Sequence, residues 1–405
     1  MEYVRFGELY KTPSCNGLSR PRAVRGEGYK MVNMGELFSN NIINDIYMER
    51  VQMNERELKK FLLKKGDLLF ARQSLVASGA GKCSIVNNIV EDTTFESHLI
   101  RVRLDESKAN PLYYYYLFQL PYNPVKTIVN QCAQAGIRGT ELIRVKVPFP
   151  TMKEQNRIAN ALFQYDDLIE NNNKRIKLLE QMAENLYKEW FVRFRFPGYE
   201  DVEFENGIPK GWEEVRAGEF INLKSGYAFK SDWWTDEGVP VIKIKDIQDG
   251  KIDLTTLDYV SEENAQKAKK FYVGKGDILI ALTGATIGKV GIVTRDNILV
   301  NQRVGKFFIE KPSIKNIGYI YNLFKQNWIQ ELIVMYSGSN AAQPNISPFD
   351  IEKFRIIYNK VYVDKFNVTV YPIYDSIIKL YEKNDVLIKQ RDLLLPRLMS
   401  GKLEV

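Results

Sequence analysis

Histidine and cysteine are scarce in this chain. Its 405 residues include one histidine, His98, and three cysteines, at positions 15, 83 and 132. A single imidazole leaves little scope for a histidine-dependent triad or metal centre. Three widely spaced cysteines form neither a disulfide framework nor a paired-cysteine zinc site. We therefore expect no catalytic residue and no metal ligand set, and we expect a reducing, cytoplasmic setting.

Long apolar runs are also missing. No stretch is long enough to cross a bilayer, and the first residues, MEYVRFGELYK, lack the apolar core of a signal peptide. The formal net charge is +7. A mildly basic balance permits binding to nucleic acid, but a solvated surface with excess lysine explains the charge almost as well. Charge alone therefore leaves the class of partner open.

No nucleotide-binding loop is present, although residues 64–82, KKGDLLFARQSLVASGAGK, end in the Gly-Lys of one. Cys83 stands where a serine or threonine should meet magnesium, and Val76 stands where the first glycine should be. The segment instead recurs as GKGDILIALTGATIGKVGIV at residues 274–293. This recurrence indicates an internal repeat, with three extra residues in the loop of the first copy.

The repeat extends beyond this segment, because VRFGEL at residues 4–9 aligns with VRAGEF at residues 215–220. The chain is thus a duplication with a period of about half its length. Each Gly-Asp pair and the apolar run after it predict a turn and a short buried strand, followed by a tight glycine-rich loop. Two interpretations stay open. The loop is either pure architecture or a rigid support that presents polar side chains to a ligand.

A long helix follows each repeat. In the first, Thr151 and Glu154 have the spacing of a capping box, and apolar residues then recur at alternating steps of three and four, as in a coiled coil. We call the line of these positions the seam. In the first helix it comprises Ile158, Leu162, Tyr165, Ile169, Asn172, Ile176, Leu179, Ala183, Leu186 and Trp190.

The C-terminal segment repeats these steps. Its seam comprises Ile373, Ile377, Leu380, Asn384, Leu387, Arg391, Leu394 and Leu398. A buried asparagine in such a seam costs stability and fixes register. We therefore predict that the two helices pair antiparallel and that Asn172 meets Asn384. The other interpretation is that each helix packs only on its own domain.

Several segments, taken in order, resemble the specificity subunit of type I restriction–modification systems, and the resemblance spans almost the whole chain. These segments are PFPTMKEQNRIANAL, LYKEWFVRFRFPG, GIPKGWEEV, LKSGYAFKSDWW, ALTGATIGKVGIV, NQRVGKF, SGSNAAQPNIS and RDLLLPRLMSGKL. The resemblance implies an α+β fold. Two tandem α/β target-recognition domains would be separated by two long helices, which form an antiparallel coiled coil with a pseudo-two-fold internal repeat.

We accordingly expect a first target-recognition domain at residues 1–150 and a first helical spacer at residues 151–195. A second target-recognition domain is expected at residues 196–358, and the distal helical spacer at residues 359–405. The second helix departs from the family pattern, because VYVDKFN replaces the P-x-x-x-E-Q start and Pro372 lies within it. Proline removes a helical hydrogen bond, so we expect this helix to start late or to bend.

The resemblance also implies a function. The chain would be a non-catalytic subunit that reads a bipartite, asymmetric double-stranded DNA target. Its partners would be two methyltransferase subunits, which bind S-adenosylmethionine and methylate adenine at N6, and a restriction and translocase subunit. Two alternatives stay open at this point: a stand-alone DNA-modifying enzyme, and a coiled-coil scaffold that binds only protein.

Candidate DNA-contacting residues lie in loops, because amide, guanidinium and hydroxyl groups read base edges and lysines hold phosphates. In the second domain they are Lys230, Ser231, Thr283, Thr286, Lys289, Gln302, Arg303, Ser339, Asn340 and Gln343. The matching places in the first domain hold Arg72, Gln73, Ser74, Lys82, His98, Gln134 and Arg138. IRGTEL (137–142) stands where the second domain has QPNISPF, so we expect the two domains to read different sequences.

Overall fold

Two units make up the fold, and each contains one repeat together with parts of two long helices. In this computed structural model the described residues are 2–21, 24–74, 79–131, 135–248, 250, 252–308, 314–338 and 344–403. Unit 1 comprises Met1–Ile169 and Leu387–Val405, and unit 2 comprises Glu170–Val386. The unit boundaries fall within the long helices, so each long helix supplies residues to both units.

The first repeat contains these elements in chain order: β1 (Tyr3–Arg5), β2 (Tyr10–Asn16), β3 (Arg25–Val32), α1 (Met34–Ser39), β4 (Ile42–Ile43), β5 (Arg50–Val51), α2 (Glu55–Phe61), β6 (Leu68–Ala71), β7 (Gln73–Ser74), β8 (Cys83–Val86), β9 (Thr93–Phe95), β10 (Leu99–Leu104), α3 (Pro111–Gln119), β11 (Asn130–Gln131), β12 (Ala135–Gly136), α4 (Gly139–Leu142) and β13 (Lys146–Pro148). The first long helix, α5 (Met152–Tyr187), follows and ends in a π-helical turn, Lys188–Val192.

The second repeat contains β14 (Phe204–Glu205), β15 (Ile208–Pro209), β16 (Glu213–Arg216), β17 (Asn222–Ser225), β18 (Trp234–Thr235), β19 (Val239–Ile242), β20 (Asp258–Val260), α6 (Glu262–Lys267), β21 (Tyr272–Val273), β22 (Ile278–Ala281), β23 (Val290–Ile292), β24 (Ile298–Val300), β25 (Val304–Phe308), α7 (Gly318–Lys325), α8 (Asn327–Tyr336), α9 (Pro348–Glu352) and β26 (Arg355–Tyr358). The second long helix is α10 (Lys360–Met399).

The sheets of the two units share one topology. The antiparallel order β2-β10-β6-β8 of unit 1 matches β17-β25-β22-β23 of unit 2. The parallel pair β3–β9 matches β19–β24, and the antiparallel pair β1–β13 matches β16–β26. The internal repeat read from the sequence is therefore confirmed at the level of strand pairing.

The central strand of each unit is buried on both faces. In β6, Leu68 and Phe70 join the core that contains α3, whereas Leu69 and Ala71 join the core on the opposite face. The equivalent strand β22 alternates in the same way between two cores. A strand covered on both faces carries a continuous apolar run, which explains LLFA and ILIA after the Gly-Asp pairs.

The Gly-Asp pairs form turns whose carboxylates are held by a cation on a neighbouring strand. Gly66 has a φ of 87°, a conformation open chiefly to glycine. The buried carboxylate of Asp67 pairs with Arg103 at 2.6 Å. In unit 2, Asp277 pairs with Lys306 at 2.7 Å. These pairs give the repeated motif a structural role in both units.

Helix α5 begins with the predicted capping box. The Thr151 N–H donates to Glu154 Oε2 at 2.9 Å, and the Glu154 N–H donates to Thr151 Oγ1 at 3.3 Å. Just inside the helix, fully buried Gln155 accepts the Asn110 N–H at 2.8 Å. This bond ties the start of α5 to the start of α3.

Helix α10 has no matching glutamine but makes the equivalent contact elsewhere. Buried Asn367 accepts the Tyr319 N–H of α7 at 2.8 Å. The expected late start was wrong, because α10 is already helical at Lys360 and continues through Pro372 to Met399. Pro372 is exposed, and the Val368 carbonyl that loses its helical partner lies on the same solvent-facing side, where water can satisfy it.

The two long helices pair antiparallel within unit 2. Asn172 Nδ2 donates to Asn384 Oδ1 at 2.8 Å, and both residues are buried. Further along, the rings of Trp190 and Phe366 lie 5.5 Å apart. Residues later in α5 therefore contact residues earlier in α10, as antiparallel pairing requires. Of the other predicted seam residues, Ile176, Ile377 and Leu380 are buried, and Ile169, Leu179 and Leu387 are half-buried.

In unit 1 a polar cluster that the sequence analysis missed joins the same helices. The Asp166 carboxylate accepts a hydrogen bond from the Tyr116 hydroxyl at 2.6 Å and forms an ion pair with Arg391 at 2.5 Å. Tyr116 belongs to a run of four buried tyrosines in α3, which packs as core. Asp166 lies next to the seam position Tyr165, so seam spacing alone did not mark it.

No helix formed by the described residues combines the length and apolarity that a membrane span requires.

We expect Asn384→Leu to destabilise unit 2 because it leaves the buried Asn172 amide unpaired, which costs about 1–3 kcal/mol. That corresponds to a fall in melting temperature of about 2–4 °C per kcal/mol for a unit of this size. The double variant Asn172→Leu/Asn384→Leu should recover most of the loss. Scanning calorimetry measures both, with exposed Gln181→Leu on α5 as the control. A double variant as unstable as the single one would contradict the register role.

Candidate nucleic-acid interface

In unit 2, loops from distant parts of the repeat meet at one edge of the sheet. The Leu282 N–H, which follows β22, donates to the Arg303 carbonyl at 3.0 Å. The Ile346 N–H donates to the Leu282 carbonyl at 2.9 Å, and the Gln302 N–H donates to the Tyr227 carbonyl at 2.8 Å. Backbone hydrogen bonds thus join four loops, around residues 226–233, 282–289, 301–303 and 344–346.

Unit 1 builds the same junction. The Arg72 N–H donates to the His98 carbonyl at 2.8 Å, and the Ile137 N–H donates to the Arg72 carbonyl at 2.9 Å. The Ser97 N–H donates to the Leu18 carbonyl at 2.9 Å. Most of the loops chosen from the sequence therefore come together in each unit, and backbone bonds set their positions.

Glycine makes this close packing possible. A Cβ on Gly17 would lie 2.0 Å from the Phe95 carbonyl oxygen, and one on Gly226 would lie 2.2 Å from the Val300 carbonyl oxygen. Only a residue without a side chain permits such an approach. These two glycines occupy matching places after β2 and β17, so the same constraint shapes both units.

Some candidate side chains are held by the protein itself. Lys82 Nζ donates to the Phe38 carbonyl at 2.6 Å, and burial lowers the pKa of its ammonium group. Thr286 Oγ1 donates to the Ile244 carbonyl at 3.1 Å, and Thr283 is buried. Arg72 Nη1 donates to the Ser97 carbonyl at 3.4 Å. These contacts stabilise the loops and reduce what the groups can offer to a ligand.

The other candidates in the described residues are exposed or half-buried. His98, Arg138, Lys230, Ser231, Lys289, Gln302 and Arg303 are exposed, and Gln73 and Ser74 are half-buried. Gln134, Ser339, Asn340 and Gln343 lie outside the described residues. The exposed set is mostly cationic or amide-bearing, which is the chemistry that contacts phosphates and base edges.

Unit 2 also carries a cluster of lysines and tryptophans that the sequence analysis did not single out as a cluster. Lys243 Nζ lies 3.3 Å from the centroid of the Trp234 ring and pairs with Asp258 at 3.0 Å. Lys245 pairs with the same carboxylate at 2.9 Å, and Lys230 Nζ lies 5.8 Å from the Trp233 ring centroid. The signals were present as SDWW and KIKD, but only the fold brings them together.

The buried carboxylate of Asp246 stabilises the backbone next to the lysine–tryptophan cluster. Its carboxylate accepts the Lys243 N–H at 2.8 Å and caps the short helical turn Ile244–Asp246. Because the side chain is buried, desolvation of the charged form raises the pKa of Asp246 to about 6. Thr286 bonds to Ile244 in this turn, so the buried carboxylate helps to position the 282–289 loop.

Within the described residues, no group of three or more histidine, cysteine, aspartate or glutamate side chains could hold a metal ion.

Comparison with known proteins gives consistent matches. A family model described as the type I restriction modification DNA specificity domain matches residues 2–181 and again residues 209–387. The MjaIX type I restriction enzyme specificity subunit of Methanocaldococcus jannaschii is 28% identical, covering 89% of this chain and 84% of that protein. The HindI specificity subunit of Haemophilus influenzae is 22% identical, covering 97% of this chain and 99% of that protein.

One solved structure supports the fold. The crystal structure of a type I restriction–modification S subunit from M. genitalium matches with a TM-score of 0.55 at 16% identity, covering 98% of this chain and 95% of that one.

We expect Asp246→Asn to make unit 2 less dependent on pH. Between the ordinary aspartate pKa and about 6, the folded state holds a proton that the unfolded state has released, so stability falls as pH rises through this range. Asparagine can still accept the Lys243 N–H. Relative to the wild type, the variant should gain about 1–3 kcal/mol between pH 4 and 7. Urea unfolding across this range tests the prediction, and parallel pH profiles would contradict it.

Proposed function

Because the chain belongs to the family of type I restriction–modification DNA specificity domains, we propose that it is a non-catalytic, cytoplasmic DNA-recognition subunit. It reads a bipartite, asymmetric double-stranded target and directs partner adenine-N6 methyltransferase and restriction subunits to that target. The observation that carries this proposal is the pair of matching loop junctions, one in each unit.

The two junctions share their backbone bonds but differ in their side chains. Where unit 1 places the half-buried Arg72 and Gln73, unit 2 places the buried Leu282 and Thr283, so polar side chains are accessible at these positions only in unit 1. A common support with different side chains fits two modules that bind the same kind of polymer and read different bases. Side-chain identity at base edges determines sequence preference, so the proposed target has unlike halves.

The paired helices provide the proposed spacer. When two modules are linked, the second contact becomes intramolecular, so two modest affinities combine into a strong one. The register bond between Asn172 and Asn384 is suited to a spacer, because it excludes slipped pairings. In this proposal the helix length determines how many base pairs separate the two half-sites.

Partner subunits are proposed to dock on the exposed surfaces of the long helices. Leu178, Met182 and Val386 are 64%, 55% and 54% exposed, so these apolar side chains are accessible to a partner. Two methyltransferase subunits would bind there and would hold S-adenosylmethionine themselves. A restriction and translocase subunit would complete the assembly.

Co-expression with the partner methyltransferase, followed by genome-wide mapping of N6-methyladenine, tests the function. The expected result is methylation at one split motif with two different halves, and none when the partner is expressed without this chain. Methyl transfer by the pure chain from labelled S-adenosylmethionine would instead identify a stand-alone enzyme. If neither the chain nor its assembled complex binds duplex DNA at low salt, the remaining hypothesis is a coiled-coil scaffold that binds only protein.

Lengthening both helices should change the spacing of the target but not its halves. One heptad is inserted into α5 next to Asn172 and a second into α10 next to Asn384, so that the antiparallel pairing is kept. Each insertion adds about 10 Å of helix. Methylation mapping should show the original half-sites with a longer gap. The matched control carries the α5 insertion alone, which breaks register and should lower the melting temperature.

Replacement of Gln73 by alanine should relax recognition in one half-site only. An amide that reads a base edge contributes about 1–3 kcal/mol of discrimination. The expected result is methylation that tolerates other bases at one position of a single half, with the other half unchanged. Gln181→Ala, on the exposed face of α5, is the control. Relaxation in both halves, or in neither, would show that Gln73 is not a reading residue.

A further inference from the structure

One tight turn is built in the same way in both units. In unit 1 it is Glu96-Ser97-His98, between β9 and β10, and in unit 2 it is Asn301-Gln302-Arg303, between β24 and β25. We call these the twin turns.

Matching backbone hydrogen bonds hold the twin turns. The Leu18 N–H donates to the Phe95 carbonyl at 2.8 Å, and the Tyr227 N–H donates to the Val300 carbonyl at 2.8 Å. The Gly17 N–H donates to the carbonyl of Leu99, the first residue of β10, at 3.3 Å, and the Gly226 N–H donates to the carbonyl of Val304, the first residue of β25, at 2.9 Å. Four further backbone bonds recur in both units. In unit 1 the donor N–H and acceptor carbonyl are Glu96 and Val32 (3.0 Å), Leu99 and Glu96 (3.0 Å), Ser97 and Leu18 (2.9 Å), and Arg72 and His98 (2.8 Å). In the same order, their counterparts in unit 2 are Asn301 and Ile242 (3.0 Å), Val304 and Asn301 (2.9 Å), Gln302 and Tyr227 (2.8 Å), and Leu282 and Arg303 (3.0 Å).

The side chains that project from these turns share their chemistry. Ser97 and Gln302 are neutral and can donate a hydrogen bond, and His98 and Arg303 carry ring or guanidinium N–H groups. Among the described residues, the Arg303 guanidinium has no hydrogen bond or ion pair, while His98 Nδ1 lies 3.4 Å from Glu96 Oε2. Of these two side chains, only the Arg303 guanidinium lacks an acidic neighbour among the described residues.

The shared construction decides what the turns contact. If the two halves of the target differ in sequence, the bases beside the two turns differ, and only the sugar-phosphate backbone is common to both. A feature that the two units share in backbone and in chemistry fits the common part of the ligand. We propose that the twin turns are positioning sites, in which Arg303 and His98 each hold a phosphate of one half-site without reading a base.

This inference rests on the proposed function and adds to it. Base reading is left to the parts that differ between the units, such as the loop that contains Gln73 in unit 1 and the lysine–tryptophan cluster in unit 2. The turns set the position from which those parts reach the bases.

The experiment uses the full chain assembled with its co-expressed methyltransferase subunits. The probes are a fluorescent duplex that carries the mapped target and a set with each base pair of both half-sites replaced in turn. Affinities are measured over a range of salt concentrations for the wild type, Arg303→Ala, Arg303→Lys and His98→Ala. Lys210→Ala, an exposed cation on the β14–β15 hairpin, is the control, and melting temperatures confirm that each variant is folded.

Arg303→Ala should weaken binding to every duplex by the same factor, roughly tenfold at 0.1 M salt, and should reduce the salt slope by about one. Arg303→Lys should retain most of the affinity, because a point charge satisfies a phosphate whereas bidentate reading of guanine needs the guanidinium fork. His98→Ala should give a smaller uniform loss.

Three outcomes would overturn the inference while leaving the proposed function intact. They are a loss that depends on the base pair replaced, a lysine variant as weak as the alanine variant, and an Arg303→Ala affinity equal to that of the Lys210→Ala control. A wild-type complex that binds no duplex would overturn the inference and the proposed function together.

Discussion

The hydrogen bond between Asn172 and Asn384 is the constraint on which the helix pair depends. Leucine-like seams tolerate slippage by a heptad, because one apolar residue replaces another at little cost. A buried amide does not, since any other register leaves it without a partner in an apolar environment. With this bond in place, the seam residues around it in unit 2 meet their partners in a single register.

Polar contacts join each repeat to one of the long helices, and the side chains that make them differ between the units. Gln155 on α5 accepts a backbone N–H at the start of α3, and Asn367 on α10 accepts one at the start of α7. In unit 1 the Tyr116 hydroxyl donates to Asp166, and in unit 2 the Asn322 amide donates to the Tyr374 hydroxyl. Such substitutions are expected after duplication, because what must persist is a satisfied hydrogen bond and not a particular side chain.

The loop junctions follow the opposite rule, since their backbone bonds are retained whereas side chains outside the twin turns, such as Arg72 and Leu282, differ. Glycines at matching places allow carbonyl groups to approach within a distance that any side chain would block. Backbone hydrogen bonds then set the loop positions independently of the exposed residues. This separation lets the reading side chains vary without loss of the fold, which suits a protein with two unlike recognition surfaces.

Periodicity and self-similarity in the sequence determined the duplication, the paired strands after each Gly-Asp turn, the capping box at Thr151 and the meeting of the two asparagines. All of these depend on local spacing or on one repeated pattern. The sequence could not show that the side chains of Lys82 and Thr286 bond to backbone carbonyl groups whereas the side chain of Arg303 stays exposed. That distinction depends on carbonyl groups from segments remote in sequence. Nor could it place Asp166, Asp246 or Lys243, or show that α10 continues through Pro372. Tertiary packing decided these features, since burial, desolvation and the solvent exposure of one helix face exist only once distant segments have come together.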